Sequence, residues 1–139
     1  MSEDKIRMSR RELREQIFKF IFRAEFNTME EMPQQEEFFF EDYELELSKK
    51  DAEYISVKSN RILEKLGEID SMINTKAKGW TTERMSKVDL TILRLAAYEI
   101  EFDEEVPAGV AINEAVELAK KFGQEESAGF VNGVLAKFV

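Results

Sequence analysis

Arginine and phenylalanine side chains recur near the amino terminus at the spacing of an α-helix. At about 100° per residue, five of them fall in one stripe: Arg7, Arg11, Arg14, Phe18 and Phe22. Guanidinium groups neutralise phosphates and release counterions, and aromatic faces stack on unpaired bases. The pairing of these residue types indicates a surface that binds single-stranded nucleic acid.

The same stripe has a second interpretation. Basic amphipathic helices are common, so the arginines can form a solvated face while the phenylalanines border the hydrophobic core. A separate stripe is predicted to face that core, and it consists of Leu13, Ile17, Phe20, Ile21 and Ala24. Arg10 points closer to the core edge than the other arginines do. Periodicity alone leaves both interpretations open.

The elements that position these residues are predicted to be helical throughout. Apolar residues recur with a helical period along the chain, and only Pro33 and Pro107 interrupt it. The 139 residues suit one domain with a real core. We therefore expect an all-α protein, a compact bundle of about six to seven helices in a single domain over residues 1–139, with residues 1–8 as a flexible arm.

Helix boundaries follow from capping residues and breaks. The first helix is predicted to begin at Ser9, with Glu12 completing a capping box, and to run to about Phe26. Gly123 is the expected C-cap of the fifth helix. The fourth helix is apolar on two faces and is expected at the centre of the bundle. The later helices are predicted over about residues 36–47, 52–74, 82–102, 107–122 and 125–139, with a loop over 27–35 and a turn over 48–51.

Residue types that most catalytic and metal sites need are missing. The chain has no cysteine and no histidine, which removes thiolate ligands and the commonest general base. We therefore expect no enzymatic activity, no metal and no cofactor. No apolar run approaches the roughly 18 residues of a membrane span, and the charged start lacks the apolar core of a secretory signal. The sequence predicts a soluble, cytoplasmic protein without membrane association.

The charge of the chain is unevenly distributed. The net charge is −9, but residues 1–23 carry a net +3 and residues 24–54 carry a net −9. Salt screens charges over about 8–10 Å, so a basic segment can bind a polyanion although the rest of the chain is acidic. Within the acidic segment lies an aromatic stretch, half of which should pack inward and half form a contact patch: Phe38, Phe39, Phe40 and Tyr43.

Three phrases in the last third of the chain carry a resemblance to a known family. They read VDLTILRLAAYEI, VAINEAVELAKKFG and FVNGVLAK. They closely resemble the carboxyl-terminal signature of the NusB family of bacterial transcription antitermination factors, and phrases this long rarely agree by chance. That family opens with an arginine-rich helix that leads to an aromatic residue. At the matching spacing this chain has Arg10, Arg11, Arg14, Glu15 and Phe22.

The resemblance implies a function and its partners. It implies a NusB-like fold and an RNA-binding transcription antitermination factor that binds single-stranded boxA leader RNA. The implied protein partner is NusE, a small-subunit ribosomal protein, within the RNA polymerase antitermination complex that acts on ribosomal RNA transcription. The alternative is a protein-binding helical adaptor without intrinsic RNA specificity. Self-association would mask the basic stripe, and the sequence leaves open whether a homodimer forms.

The stripe and the resemblance together select site residues. Phe22 stands where the family commonly has tyrosine, so we expect stacking without the hydroxyl hydrogen bond. Gly129 stands where a lysine often precedes the second stacking residue, and Lys121 is a basic residue able to compensate. Asp89 matches the acidic position of the NusE interface. The candidate RNA-binding residues are Arg7, Arg10, Arg11, Arg14, Phe22, Lys121 and Phe130.

Overall fold

The computed structural model describes residues 5–42 and 46–139, and these contain α-helices and one 3₁₀ helix but no strand. The prediction of an all-α protein is confirmed, and seven α-helices in this part of the chain agree with the predicted number. None of them is long and apolar enough to cross a membrane. The helices are α1 (Arg10–Phe22), α2 (Met32–Phe40), α3 (Lys49–Glu64), α4 (Leu66–Lys76), α5 (Lys87–Phe102), α6 (Ala108–Phe122) and α7 (Ser127–Ala136), and the 3₁₀ helix is Arg23–Glu25.

The chain divides into two compact units, Met1–Leu63 and Glu64–Val139. The first unit contains α1, α2 and all of α3 except its last residue. The second unit contains α4 to α7. A single domain over residues 1–139 stays a prediction.

The first helix begins with the predicted capping box. The hydroxyl of Ser9 accepts a hydrogen bond from the backbone N–H of Glu12, and the carboxylate of Glu12 accepts one from the N–H of Ser9, both at 3.0 Å. These bonds satisfy two N–H groups that a helix start leaves without partners. The predicted core stripe is buried except at Ala24, which is half-buried. The helix ends at Phe22 rather than Phe26, because the last turn tightens into the 3₁₀ helix.

A buried carboxylate holds the chain immediately before α1. Asp51 is fully buried, and it accepts hydrogen bonds from the backbone N–H groups of Arg7 and Met8 at 3.1–3.5 Å. These two residues belong to the predicted arm of residues 1–8, whose first four residues lie outside the described part of the chain.

The predicted loop over 27–35 and helix over 36–47 are wrong in their boundaries. Helix α2 begins at Met32 and carries Pro33 in its first turn. Proline is tolerated there because the N–H that it lacks has no helical acceptor at that position. The helix ends at Phe40, and Tyr43 of the aromatic segment lies among residues 43–45, which are outside the described residues. Phe39 is buried whereas Phe38 is half exposed, so the expected division within this segment is confirmed for that pair.

The single helix predicted over 52–74 is also wrong, because the chain forms two helices there. Helix α3 begins three residues earlier, at Lys49, where the Ser48 hydroxyl accepts a hydrogen bond from the N–H of Asp51 at 3.1 Å. The predicted turn over 48–51 is thus the cap and first turn of α3. The helices α3 and α4 are separated at Lys65, whose backbone (φ −107°, ψ 10°) leaves the helical region.

Helix α5 lies at the centre of the second unit, and its predicted place at the centre of the whole bundle stays a prediction. It packs against α4, α6 and α7. Its start is Lys87 rather than Thr82, because Ser86 is the residue whose hydroxyl caps the helix by accepting a hydrogen bond from Asp89 N–H at 3.1 Å. Two hydrogen bonds of 2.8 Å join the guanidinium of Arg94 on α5 to the carboxylate of Asp70 on α4. This bidentate geometry fixes the two helices against each other.

The last two helices follow the predicted signals closely. Pro107 is the N-cap of α6 and Gly123 is its C-cap. The backbone of Gly123 is extended (φ −89°, ψ −168°), so glycine is not needed there for a left-handed conformation. A Cβ at this position would lie 2.5 Å from Cβ of Ser127, in the first turn of α7. Glycine therefore allows the two helices to join closely.

Candidate nucleic-acid interface

The arginines around the start of α1 differ in exposure. Arg7, Arg10 and Arg11 are exposed, so their guanidinium groups lie at the surface of the first unit. Arg14 is only 8% exposed. The expectation that the whole basic stripe faces water is therefore wrong for Arg14. The helical wheel fixes a direction around one helix, but it does not show what else packs on that side.

Phe18, Phe22 and Phe26 form a series of contacting rings, the aromatic ladder, whose exposure increases along the chain. Phe18 is 4% exposed, so it agrees with the interpretation in which the phenylalanines border the core and not with the one in which the whole stripe faces water. Phe22 is half-buried, and its ring stacks on that of Phe18 with centroids 6.1 Å apart. Phe26 follows with an edge-to-face contact to Phe22 at 5.2 Å and is 61% exposed. An aromatic surface accessible to a base therefore lies at Phe22 and Phe26.

Phe26 was not among the candidate residues selected from the sequence. It follows Phe22 by four residues, the spacing that already connects Phe18 to Phe22. This regular four-residue spacing is the feature of the sequence that indicates Phe26 as a further member of the aromatic series. The helical pattern identifies Phe26 only as the predicted end of the first helix.

The candidate stacking residue of the second unit lies on α7. Phe130 is half-buried, while Val131, Val134 and Leu135 of the same helix are buried. Phe130 thus lies at the border of the apolar face of α7. Its ring meets the indole of Trp80 edge to face, with centroids 5.6 Å apart and planes at 69°.

Trp80 and Arg84, which are not among the candidate residues, complete a cluster with Phe130. The sequence favours Trp80 as a cap on the helix junction over a base-stacking residue. Trp80 is 47% exposed, and the guanidinium carbon of Arg84 lies 5.3 Å from the centroid of its ring. Cationic and aromatic groups thus meet here, as at α1. The local charge is the feature of the sequence that indicates this cluster, since residues 76–87 carry four basic residues and one acidic residue.

Lys121 lies near the end of α6 in the second unit. Its side chain is exposed, and its ammonium nitrogen is 5.4 Å from the ring centroid of Phe122. Its basic neighbour Lys120 pairs with Glu117 at 3.5 Å. Both lysines stand in the last turn of α6, where positive charge also complements the helix dipole.

Asp89 lies in the first turn of α5 and is half-buried. Its backbone N–H donates a hydrogen bond to the hydroxyl of Ser86. Its Oδ1 is buried and has no hydrogen-bond partner among the described residues. A buried acceptor without a partner costs roughly 1–3 kcal/mol.

No group of three or more acidic residues in the described ranges is arranged to hold a metal ion. The site residues offer charged groups, aromatic rings and hydrogen-bonding groups for recognition of a ligand. Arg7, Arg10, Arg11, Arg14 and Phe22 belong to the first unit, and Asp89, Lys121 and Phe130 to the second.

Comparisons with known proteins agree on one family. The model of the NusB family matches residues 11–139. The transcription antitermination protein NusB of Lachnoclostridium phytofermentans is 51% identical over 132 residues, which cover 95% of this chain and 99% of that protein. A solved structure of T. maritima NusB is 36% identical with a TM-score of 0.84, covering 96% of this chain and 92% of that one. A crystal structure of antitermination factors NusB and NusE in complex with dsRNA is 25% identical with a TM-score of 0.80, covering 93% and 94% of the two chains. This chain therefore belongs to the NusB family.

Proposed function

We propose that this protein is a transcription antitermination factor that binds boxA leader RNA together with the ribosomal protein NusE. The observation that carries this proposal is the family match over residues 11–139. This range contains α1 to α7 except Arg10, the first residue of α1. The solved relative that contains NusE and double-stranded RNA supports NusE as a partner and RNA as a ligand. The protein then works in the cytoplasm as part of the RNA polymerase antitermination complex, and it makes or breaks no covalent bond.

In this proposal the first unit supplies phosphate contacts and a stacking surface. The exposed guanidinium groups of Arg7, Arg10 and Arg11 neutralise phosphates, and the ring of Phe22 stacks on an unpaired base. Arg14 has little exposed surface, so it contributes to the local positive potential more than to direct contact. In the second unit, Phe130 stacks and Lys121 adds a phosphate contact.

The proposed contact with NusE uses Asp89. A ribosomal protein is expected to be basic, and this chain has a net charge of −9, so the two attract each other at long range. Asp89 is half-buried, so the exposed part of this acidic residue can contact such a partner. We expect Asp89→Ala to weaken NusE binding and to leave RNA binding by the isolated protein unchanged.

The experiment that tests this function is a set of binding titrations. Fluorescently labelled boxA RNA, a scrambled RNA and a duplex RNA are each titrated with the protein, with and without NusE. We expect boxA RNA to bind more tightly than scrambled RNA and NusE to increase that preference. The duplex belongs in the set because the solved relative holds double-stranded RNA. Equal affinity for boxA and scrambled RNA in every condition would refute the proposed specificity.

A pair of variants tests the phosphate contacts. The double variant Arg10→Gln with Arg11→Gln should weaken RNA binding and lower the slope of log affinity against log salt by about 2, because each lost phosphate contact removes roughly 1. The matched control, Lys50→Gln with Arg61→Gln, removes the same charge from exposed positions on α3 and should leave the slope nearly unchanged. If the two double variants behave alike while NusE binding persists, the protein-binding adaptor is the better description.

A further inference from the structure

A second basic segment connects α4 to α5. Residues 76–87 carry Lys76, Lys78, Arg84 and Lys87 against Glu83 alone, a net charge of +3 in a chain whose net charge is −9. Residues 55–139 as a whole carry a net charge of −3, so this basic segment lies within an acidic stretch of the chain. A local positive charge of this size attracts a polyanion, since screening limits the influence of acidic residues farther away.

The exposed aromatic residue of this segment is held in place by its backbone. Gly79 has a positive φ of 84°, which few other residues adopt easily, and the N–H of Trp80 donates to the carbonyl of Ala77 at 2.9 Å. The N–H of Thr82 donates to the side-chain oxygen of Asn74 at 2.8 Å. The turn that presents the indole is thus ordered in advance, which lowers the entropy lost when a ligand binds.

We propose that Trp80, Arg84 and Phe130 form a stacking site for an unpaired RNA base, which we call the Trp80 site. The base stacks on the exposed part of the indole, and the adjoining phosphate pairs with the guanidinium of Arg84. Phe130 supports the indole through its edge-to-face contact at 5.6 Å. This inference rests on the proposed RNA-binding function and extends it to two residues that the sequence did not select.

The exposure and chemistry of the cluster favour this role over a purely structural one. Trp80 leaves 47% of its surface exposed, which gives a base access to part of this residue. Arg84 lies 5.3 Å above the ring, at the distance from which it can reach the phosphate next to a stacked base. Single-stranded RNA uses both kinds of contact at once.

Trp80 is the only tryptophan in the chain, so its fluorescence reports on this site alone. Labelled single-stranded boxA RNA is titrated with the full-length protein while RNA anisotropy and tryptophan emission are recorded together. We expect the emission to be quenched with the same midpoint as the anisotropy change, because a base stacks on the indole. Binding seen by anisotropy without any change in emission would overturn the Trp80 site and leave the proposed function standing.

Two pairs of variants separate stacking from charge. Trp80→Ala should weaken RNA binding by at least about fivefold, the low end of the loss of one stacked base, while Trp80→Phe retains most of the affinity. Arg84→Gln should lower the salt slope by about 1, while Arg84→Lys keeps it. Circular dichroism melts establish that each variant folds, which is expected because both side chains are largely at the surface.

The results distinguish the inference from the function on which it rests. If Trp80→Ala folds and binds boxA RNA as tightly as the unchanged protein, the Trp80 site does not exist, although RNA binding does. If the unchanged protein binds no RNA, with or without NusE, both the site and the proposed function fall. A loss of affinity in Trp80→Ala that Trp80→Phe restores supports the site.

Discussion

At the scale of single residues, the aromatic ladder of the first unit begins with a buried ring and ends with an exposed one. Phe18 is buried, Phe22 is half-buried against it, and Phe26 is mostly exposed. Phe22 is thus held between two rings, at 6.1 Å and 5.2 Å, before any ligand arrives. A ring that is fixed in advance loses little rotamer freedom on stacking. Phe26 extends this surface beyond the residue that the family pattern selects.

The carboxylate of Asp51 gives a prediction at the same scale. Asp51→Asn should lower the free energy of unfolding by about 1.5–3 kcal/mol, the value of hydrogen bonds to a charged group, because an amide nitrogen would then face the donors Arg7 N–H and Met8 N–H. Urea unfolding followed by circular dichroism measures the change. Amide hydrogen exchange at Arg7 and Met8 should become faster.

The control for this prediction is Glu53→Gln. Glu53 is an exposed acidic residue on the same helix, so removing its charge should change stability by no more than about 0.5 kcal/mol. Equal effects of the two substitutions would mean that the hydrogen bonds of Asp51 contribute nothing specific.

At the scale of elements, capping side chains decide where the helices begin. The capping box of α1 was predictable because Ser9 is followed by Glu12 and then by a continuous apolar stripe. Before α5 the chain offers Thr81, Thr82 and Ser86 as alternative caps, and only Ser86 is used. Local pattern cannot choose between such alternatives, since each can accept a hydrogen bond from a helix start.

The junction between α6 and α7 gives a prediction at this scale. Gly123→Ala should destabilise the protein by about 1–3 kcal/mol, because the new Cβ would lie 2.5 Å from Cβ and 2.6 Å from Oγ of Ser127. The same hydroxyl accepts a hydrogen bond from Gln124 N–H at 2.9 Å, so moving it disturbs the start of α7. Thermal and urea unfolding measure the loss.

Gly133→Ala is the matched substitution for this comparison. A Cβ at Gly133 meets no atom within 4 Å, and the residue is exposed within α7. Alanine is the better helix former, so we expect a gain of about 0.5–1 kcal/mol. A destabilisation as large as that of Gly123→Ala would show that close approach is not what requires glycine at the junction.

At the scale of the whole molecule, charge is separated by sign along the chain. Residues 1–23 and residues 76–87 are each net +3, and residues 24–54 are net −9. Basic segments suit RNA, and the acidic remainder suits a basic protein partner. The same chain can therefore attract two partners of opposite charge.

This distribution predicts how NusE association depends on salt. Raising the salt concentration from about 0.05 M to 0.5 M should lower the association rate constant by tenfold or more, because long-range attraction to a basic partner is screened. The dissociation rate constant should change much less. Stopped-flow mixing at several ionic strengths measures both. A salt effect confined to dissociation would contradict steering by net charge.

The resemblance of three phrases identified the family from the sequence, and the comparisons show it. The sequence by itself also determined the all-α class, the capping box of α1 and the two apolar faces of α5. These follow from local periodicity and from residue types at fixed spacing, which the chain carries without reference to distant contacts. Only the tertiary structure decided that Arg14 and Phe18 are buried, that Lys65 separates two helices, and that Trp80 meets both Arg84 and Phe130. Exposure and contact depend on what other parts of the chain pack against a side chain, and a helical period defines only its direction around one axis.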